Sequence, residues 1–355
     1  MAGRDRLKPS DDLIGCTRFS APSSLSHARR HLGRDRWHGL PRENVTESRS
    51  FTIASRLGLA TTLLMFGLMV IGSVVHSTGS GLACPDWPLC GGRLIPPFES
   101  HILVEWLHRL VALLVSLMLF VTLAWVASHA ALRARLGGLA VLSVLLLVAQ
   151  IVLGALTVWK LLSPAIVCGH LGVALLLFCT LLTLTLVARA EVVPGAGARE
   201  RAPRPTGSLA IAAAAFVAFG QCLLGGLVSA NHAGLACPDW PTCHGQLFPP
   251  LQGLEGLQML HRYGAYALAA LVVVAVARTR SAPDLRPRRG AAVALGLVVV
   301  QLVLGVSNVF LGTPPWLSAI HLATAIAIVG VLLGAALRLA PAPVVSARLV
   351  ALEAR

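Results

Sequence analysis

The chain has 355 residues, of which 56% are hydrophobic and only 12% charged, and its mean hydropathy is +0.76. A soluble globular chain carries about 25% charged residues, so this composition excludes an ordinary soluble enzyme, a disordered chain and a coiled coil. The formal net charge of +14 does not point to nucleic acid, because the basic residues fall in short loops and an N-terminal tail, not on one face of a folded domain.

Residues 1–56 hold eleven Lys/Arg, six Asp/Glu and no apolar run. They read as a disordered cytoplasmic tail or an overextended gene start. A secretory signal would need an early apolar stretch, and a mitochondrial transit peptide would be poor in acids. Asp5, Asp11, Asp12, Asp35, Glu43 and Glu47 count against the latter. From Leu57 onward come eight apolar segments, at 57–76, 103–128, 138–158, 165–188, 208–230, 258–277, 291–311 and 317–338. Each is near the length of about 20 residues that crosses a bilayer. Backbone in lipid must satisfy its own hydrogen bonds, so these are expected to be helices. The fold class is an all-α polytopic membrane protein with eight transmembrane helices.

The basic residues set an orientation. Of the 29 Lys/Arg, 25 lie in the N-tail, the 129–137, 189–207 and 278–290 loops and the C-tail. Only Arg93 and Lys160 lie on the other side, and Arg109 and Arg262 lie inside spans. Such asymmetry places both termini in the cytoplasm.

The sequence also repeats itself. GLACPDWPLCGGRLIPP at 81–97 returns as GLACPDWPTCHGQLFPP at 234–250, identical at 13 of 17 positions. His108-Arg109 returns as His261-Arg262 at an offset of 153. QIVLGALTV at 150–158 returns as QLVLGVSNV at 301–309 at an offset of 151, and His170 and His321 follow them. The chain therefore divides into a tail (1–56), a four-helix unit (57–190), a cytoplasmic linker (191–207), a second four-helix unit (208–340) and a short tail (341–355). Each unit has an even number of spans, so the repeats are parallel and related by a pseudo-two-fold axis along the membrane normal.

Four histidines, His108, His170, His261 and His321, sit inside spans. Each lies about five residues from the non-cytoplasmic end of its helix, roughly 7 Å deep at 1.5 Å per residue. Ionisable groups at membrane depth are costly and mark function by default; a hydrogen bond to a neighbouring helix is the bland alternative. Zinc sites usually add Cys or carboxylate ligands. Two imidazoles from facing helices suit the axial positions of a haem iron between apolar walls, which gives one porphyrin site per repeat. No Cys-x-x-Cys-His occurs, so a covalently attached haem is excluded.

Glu105 lies three residues before His108, on the same helix face, and its counterpart is Gln258. A carboxylate can exchange protons or stabilise a developing cation, and an amide cannot titrate. A structural Glu105–Arg109 pair is the competing explanation. The asymmetry assigns chemistry to the first repeat and a permanent cofactor to the second. Cys84 and Cys90, with their copies Cys237 and Cys243, lie in outer loops, where a disulfide can persist; either a structural staple or a redox-active pair fits. Asp86 and Asp239 between them can cap a turn or guide protons, and Trp87 and Trp240 suit interfacial anchoring. Cys168, Cys179 and Cys222 lie in spans and are expected to pack as small apolar residues.

GSGLACPDWPLC, the E-x-x-H-R of Glu105–Arg109, the G-H-L of Gly169–Leu171 and the second-half copies resemble the haem A synthase family, over about residues 57–338. That resemblance implies a membrane oxidoreductase that oxidises the C8 methyl of haem O to a formyl group by successive hydroxylations, giving haem A for cytochrome oxidase. It implies that His108 and His170 ligate the substrate haem, that His261 and His321 ligate a haem b cofactor, and that Glu105 is catalytic. It further matches Cys84 and Cys90 to a cysteine pair implicated in activity. Many members carry Arg where this chain has His76, in a position to meet a haem propionate; the second-half counterpart is Ser229. The implied partners are the haem O substrate, the farnesyltransferase that makes it (haem O synthase), an electron donor of unknown kind and the lipid membrane, with no nucleic acid. The implied location is the bacterial cytoplasmic (inner) membrane rather than the mitochondrial inner membrane. A diheme b-type electron-transfer protein and a haem transporter or chaperone are the competing functions. The first leaves the single Glu105 unexplained, and the second has no need of a permanent second haem.

Overall fold

In the computed structural model the described residues are 42–97, 99–192, 207–282 and 285–339. Eight long helices account for nearly all of them: α1 (Arg42–Ser77), α2 (Ser100–Ser128), α3 (Ala130–Trp159), α4 (Pro164–Glu191), α5 (Ser208–Ala230), α6 (Gly253–Thr279), α7 (Leu285–Phe310) and α8 (Pro315–Leu339). All eight are long and apolar enough to cross a membrane. The protein is thus an all-α, multi-pass membrane protein, and each expected span coincides with one helix, the seventh running one residue past its end at Phe310.

Helix ends differ from the expected ones. Helix α1 begins at Arg42, well before Leu57. Its early turns are not bare tail: Phe51 and Ala54 are buried with Val126, Leu132, Leu136, Leu184 and Ala188, and Trp125 donates its indole N–H to the Ser50 carbonyl at 3.2 Å. The polar composition of 42–56 hid two apolar contacts that suffice to continue a helix. The 129–137 loop shrinks to His129, because α3 starts at Ala130. Residues 1–41, most of the 191–207 linker and the 341–355 tail lie outside the described residues.

From Glu47 onward the chain forms one compact unit. Within each half the helices pack in the same pattern, α2 on α3 and α3 on α4, then α6 on α7 and α7 on α8. The halves meet where α4 packs on α5 and α8. A single core runs through the seam, including Leu175, Leu177, Phe178 and Leu181 of α4 with Ile211, Ala214 and Ala218 of α5 and Ile326 and Val329 of α8. Helix α4 is the most enclosed span and α3 the most lipid-facing. Without a hydrophobic drive between helices in lipid, close approach relies on small residues and interhelical hydrogen bonds. Ala214, Ala218 and Cys222 supply the small residues at the seam. Thr61 and Thr122 supply a buried hydroxyl pair at 2.9 Å between α1 and α2. Cys168, Cys179 and Cys222 carry free thiols, consistent with packing roles.

Candidate functional site

The two outer loops are built alike. Cys84–Cys90 and Cys237–Cys243 are disulfide-bonded, so each loop closes on itself. The Asp between them is a turn cap. Asp86 accepts the Gly91 and Gly92 N–H groups at 2.5 and 2.8 Å, and Asp239 accepts those of His244 and Gly245 at 2.7 and 2.9 Å. The N–H of Gly92, then that of Gly91, holds the Asp86 carboxyl below the usual carboxylate range; for Asp239 the leading cause is the Thr242 hydroxyl. Trp87 packs edge-on against Trp159 at the end of α3.

Each loop is clasped by the arginine that follows a site histidine. Arg109 donates to the carbonyls of Cys84, Asp86 and Leu89. Arg262 donates to the matching carbonyls of Cys237, Asp239 and Thr242 at 2.7 to 2.8 Å. Five donors in a rigid fork suit a cluster of carbonyls. The loop is thereby fixed over the helix that carries the histidine. Sequence reasoning placed both arginines inside spans without assigning them this role; their fixed distance from the repeated loops was the available signal.

Glu105 and Gln258 are both buried, at 4% and 5% exposure, and they are wired differently. One Glu105 oxygen accepts the Cys84 N–H at 2.7 Å, and the other pairs with Arg109 at 2.5 Å. The Glu105–Arg109 pair is therefore present, and it also ties the carboxylate to the disulfide loop. Gln258 donates to the Gly234 carbonyl at 2.9 Å, and its Oε1 is buried without a partner. The carboxylate-to-amide change thus redirects the side chain as well as removing its charge.

The four histidines share one packing motif that sequence reasoning missed. Each imidazole lays its Cε1 edge on a glycine of another helix: His108 on Gly72, His170 on Gly154, His261 on Gly225 and His321 on Gly305. A Cβ at these glycines would lie 3.2, 3.2, 2.8 and 3.2 Å from Cε1, respectively. The glycines recur at the same offsets as the histidines, and two of them sit in the repeated Q-x-V-L-G, so the repeat itself contained the signal. Nδ1 of His108, His170 and His321 is buried without a partner. Gln150 Nε2 lies 3.1 Å from His170 Nε2. Buried imidazoles on separate helices, each seated on a glycine, fit the axial positions of a porphyrin iron. Among the described residues, the one group of three side chains close enough to share a metal ion is Cys243, His244 and Glu255, and its sulfur is taken by a disulfide. His76 stacks on His232, ring centroids 6.3 Å apart.

Residues 55–333 match the family model COX15-CtaA, described as cytochrome oxidase assembly protein. The chain belongs to this family. It is similar to the heme A synthase of Symbiobacterium thermophilum, 34% identical over 70% of this chain and 83% of the relative. The heme A synthase of Geobacillus kaustophilus is 31% identical over 81% and 93%, and that of Shewanella oneidensis 30% over 73% and 88%.

Two outcomes follow from the site's construction. Arg109→Ala leaves a buried carboxylate and three carbonyls without their donor and is expected to cost about 3 kcal/mol. Thermal unfolding of the detergent-solubilised protein measures the loss, and faster reduction of Cys84–Cys90 by dithiothreitol reports the loosened loop. Gly305→Val pushes on the His321 ring, at an overpacking cost of about 1–3 kcal/mol. Haem bound per protein, measured as the pyridine haemochrome, is expected to fall about tenfold, since 1.4 kcal/mol is one decade.

Proposed function

We propose that this chain is a haem A synthase, an oxidoreductase that converts the C8 methyl of haem O to a formyl group. Family membership supports the activity. The observation that carries the division of labour is the buried carboxylate beside one of two otherwise matching histidine pairs. In this reading His108 and His170 hold the substrate haem in the N-terminal half (57–190). His261 and His321 hold a resident haem b in the C-terminal half (208–340). That haem, when bound, supplies a redox centre able to relay single electrons toward the substrate side.

The remaining steps belong to the protein's own groups. Gly72 and Gly154 let the His108 and His170 rings approach their neighbouring helices and fix their direction. Glu105 stands one helical turn before His108, held by the Cys84 N–H and by Arg109. It stabilises positive charge developing at the methyl carbon, and on leaving Arg109 it can deliver a proton to the oxygen atom that departs as water. Gln258, at the same place in the other half, can do neither. The clasped loop roofs each site and limits water entry. Each hydroxylation consumes dioxygen with two electrons from a separate donor and two protons, one oxygen atom entering the C–H bond and the other leaving as water, and the farnesyltransferase that makes haem O is the natural source of so apolar a substrate. The protein resides in the bacterial cytoplasmic membrane with both termini inside, because the basic residues gather on the side of the termini.

The test is haem extraction and chromatography from cells that co-express this protein with a haem O synthase, in a host whose own haem A synthase is deleted. Haem A or its hydroxylated precursor is expected. Haem B and haem O alone, from a haem-loaded protein, would overturn the enzyme assignment. Within the active protein, Glu105→Gln is expected to keep bound haem near the wild-type amount while lowering haem A at least 100-fold, the lower range for a positioned acid–base group. His261→Ala is expected to strip the resident haem b.

A further inference from the structure

One chain of polar side chains belongs to the first half alone, and it ends one helical turn from Glu105. The Thr78 hydroxyl, just past α1, donates to the Val74 carbonyl at 2.7 Å. It lies 2.8 Å from the Ser80 hydroxyl, and Ser80 lies 2.9 Å from His101 Nδ1. The direction of these bonds is fixed, because a hydroxyl has one hydrogen to give. Thr78 gives its own to the main chain, so Ser80 donates to Thr78, and His101 Nδ1–H donates to Ser80. The neutral ring therefore keeps its basic lone pair at Nε2, and His101 is exposed. Ser80 is fully buried. It opens a turn, closed by the Ala83 N–H on its carbonyl at 3.1 Å, that leads to Cys84, whose N–H holds Glu105. His101 and Glu105 are four residues apart on α2, and such side chains are neighbours on a helix, with Cβ atoms about 5–6 Å apart.

The repeat offset of 153 places Asn231, Ala233 and Leu254 at the matching positions of the second half, beside Gln258. Asn231 turns back on its own helix and donates to the Leu227 carbonyl at 2.8 Å. Ala233 and Leu254 carry no polar group. The half with a titratable carboxylate thus has an exposed imidazole one turn above it, and the half with an amide has neither. A polar chain that only tied the outer loop to its helix would be of equal use to both halves.

We propose that His101, held by Ser80, supplies the protons that Glu105 passes on. It acts through Glu105 and not on the substrate, as a positioning residue for the proton. The inference rests on Glu105 being the catalytic carboxylate, as proposed above. An imidazole takes up and gives back a proton readily in neutral water. Water protonates Nε2, and the Nε2–H bond breaks as an O–H bond forms on the Glu105 carboxylate. Glu105 gives that proton to the oxygen that departs as water, and both groups return to their starting state. Each round moves one proton and no electrons.

The test uses the full-length protein in spheroplasts of the host without its own haem A synthase, co-expressed with a haem O synthase, so that the outer face meets the medium. The readouts are the rate of haem A formation, haem bound per protein and the thermal unfolding temperature. His101→Gln keeps a donor for Ser80 and cannot titrate; His101→Ala keeps neither. Both are expected to slow haem A formation about tenfold, short of the full effect of losing a positioned acid–base group because water partly substitutes. Bound haem and unfolding temperature of His101→Gln are expected to match wild type. Imidazole added to the medium is expected to restore His101→Ala toward the wild-type rate and to leave Glu105→Gln inactive. Wild type given the same imidazole is the reference, since imidazole also binds haem iron. A wild-type rate in His101→Gln would overturn the proposal, because the hydrogen bond to Ser80 would then suffice. So would a slow His101→Ala that imidazole leaves slow. If His101→Gln does not fold, His101→Ala and its rescue decide alone. Failure of the underlying reading looks different: Glu105→Gln would then make haem A at the wild-type rate, whatever the His101 variants do.

Discussion

The contact of an imidazole edge on a bare helix backbone sets the geometry of this molecule. A histidine within a span must point into the bundle, and a ring that points inward needs a neighbour with no side chain. Glycine meets that need four times, at Gly72, Gly154, Gly225 and Gly305. Each glycine brings two helices close enough that the ring is wedged between them, so the spacing of α1 against α2, α3 against α4, α5 against α6 and α7 against α8 follows from one contact type. Packing on glycine therefore fixes where each ring lies and which edge meets the neighbouring helix.

Above the rings, the arginines carry the next layer of order. Arg109 and Arg262 each follow a site histidine by one residue, and each gathers three loop carbonyls. A loop with a short disulfide and an Asp cap is already rigid. What it lacks is a fixed position relative to the helices, and the guanidinium supplies that. The anchors further out differ between halves: Trp106 donates to Leu94 in one and Tyr263 to Leu247 in the other. Different residues do the same work where only a hydrogen bond to a carbonyl is required. The inner arginine stays the same where a fork of donors is required.

Much of this was legible in the sequence. Hydropathy gave eight spans, because a helix in lipid has no alternative backbone partner and its residues must be apolar throughout. The repeat gave the four histidines and paired cysteines, because duplicated chemistry leaves duplicated letters. The start of α1 was not legible, since Phe51 and Ala54 are two contacts in an otherwise polar stretch and carry no periodic signal. The roles of Arg109 and Arg262 were hidden for a different reason: their partners are main-chain carbonyls, which no residue letter encodes. Asp86 could be read as a cap or a proton guide until its two N–H donors were seen. The glycines were present in the repeat but silent, because a missing side chain announces nothing until its neighbour is known.

The divergence of the halves is more informative than their likeness. Several positions near the histidines differ between the repeats, among them Glu105 against Gln258, Leu68 against Gln221 and Val111 against Gly264. The first change removes a titratable group and, with it, the bond to the loop's main-chain N–H. The other two add an amide where there was hydrocarbon and clear the space it fills. A site that keeps its ligand has no use for a titrating carboxylate, and a site that alters its ligand does. Such a change would be hard to explain if both halves merely stored haem, because storage sets the same demand twice. It follows directly if one half binds a haem to be altered and the other a haem to be kept.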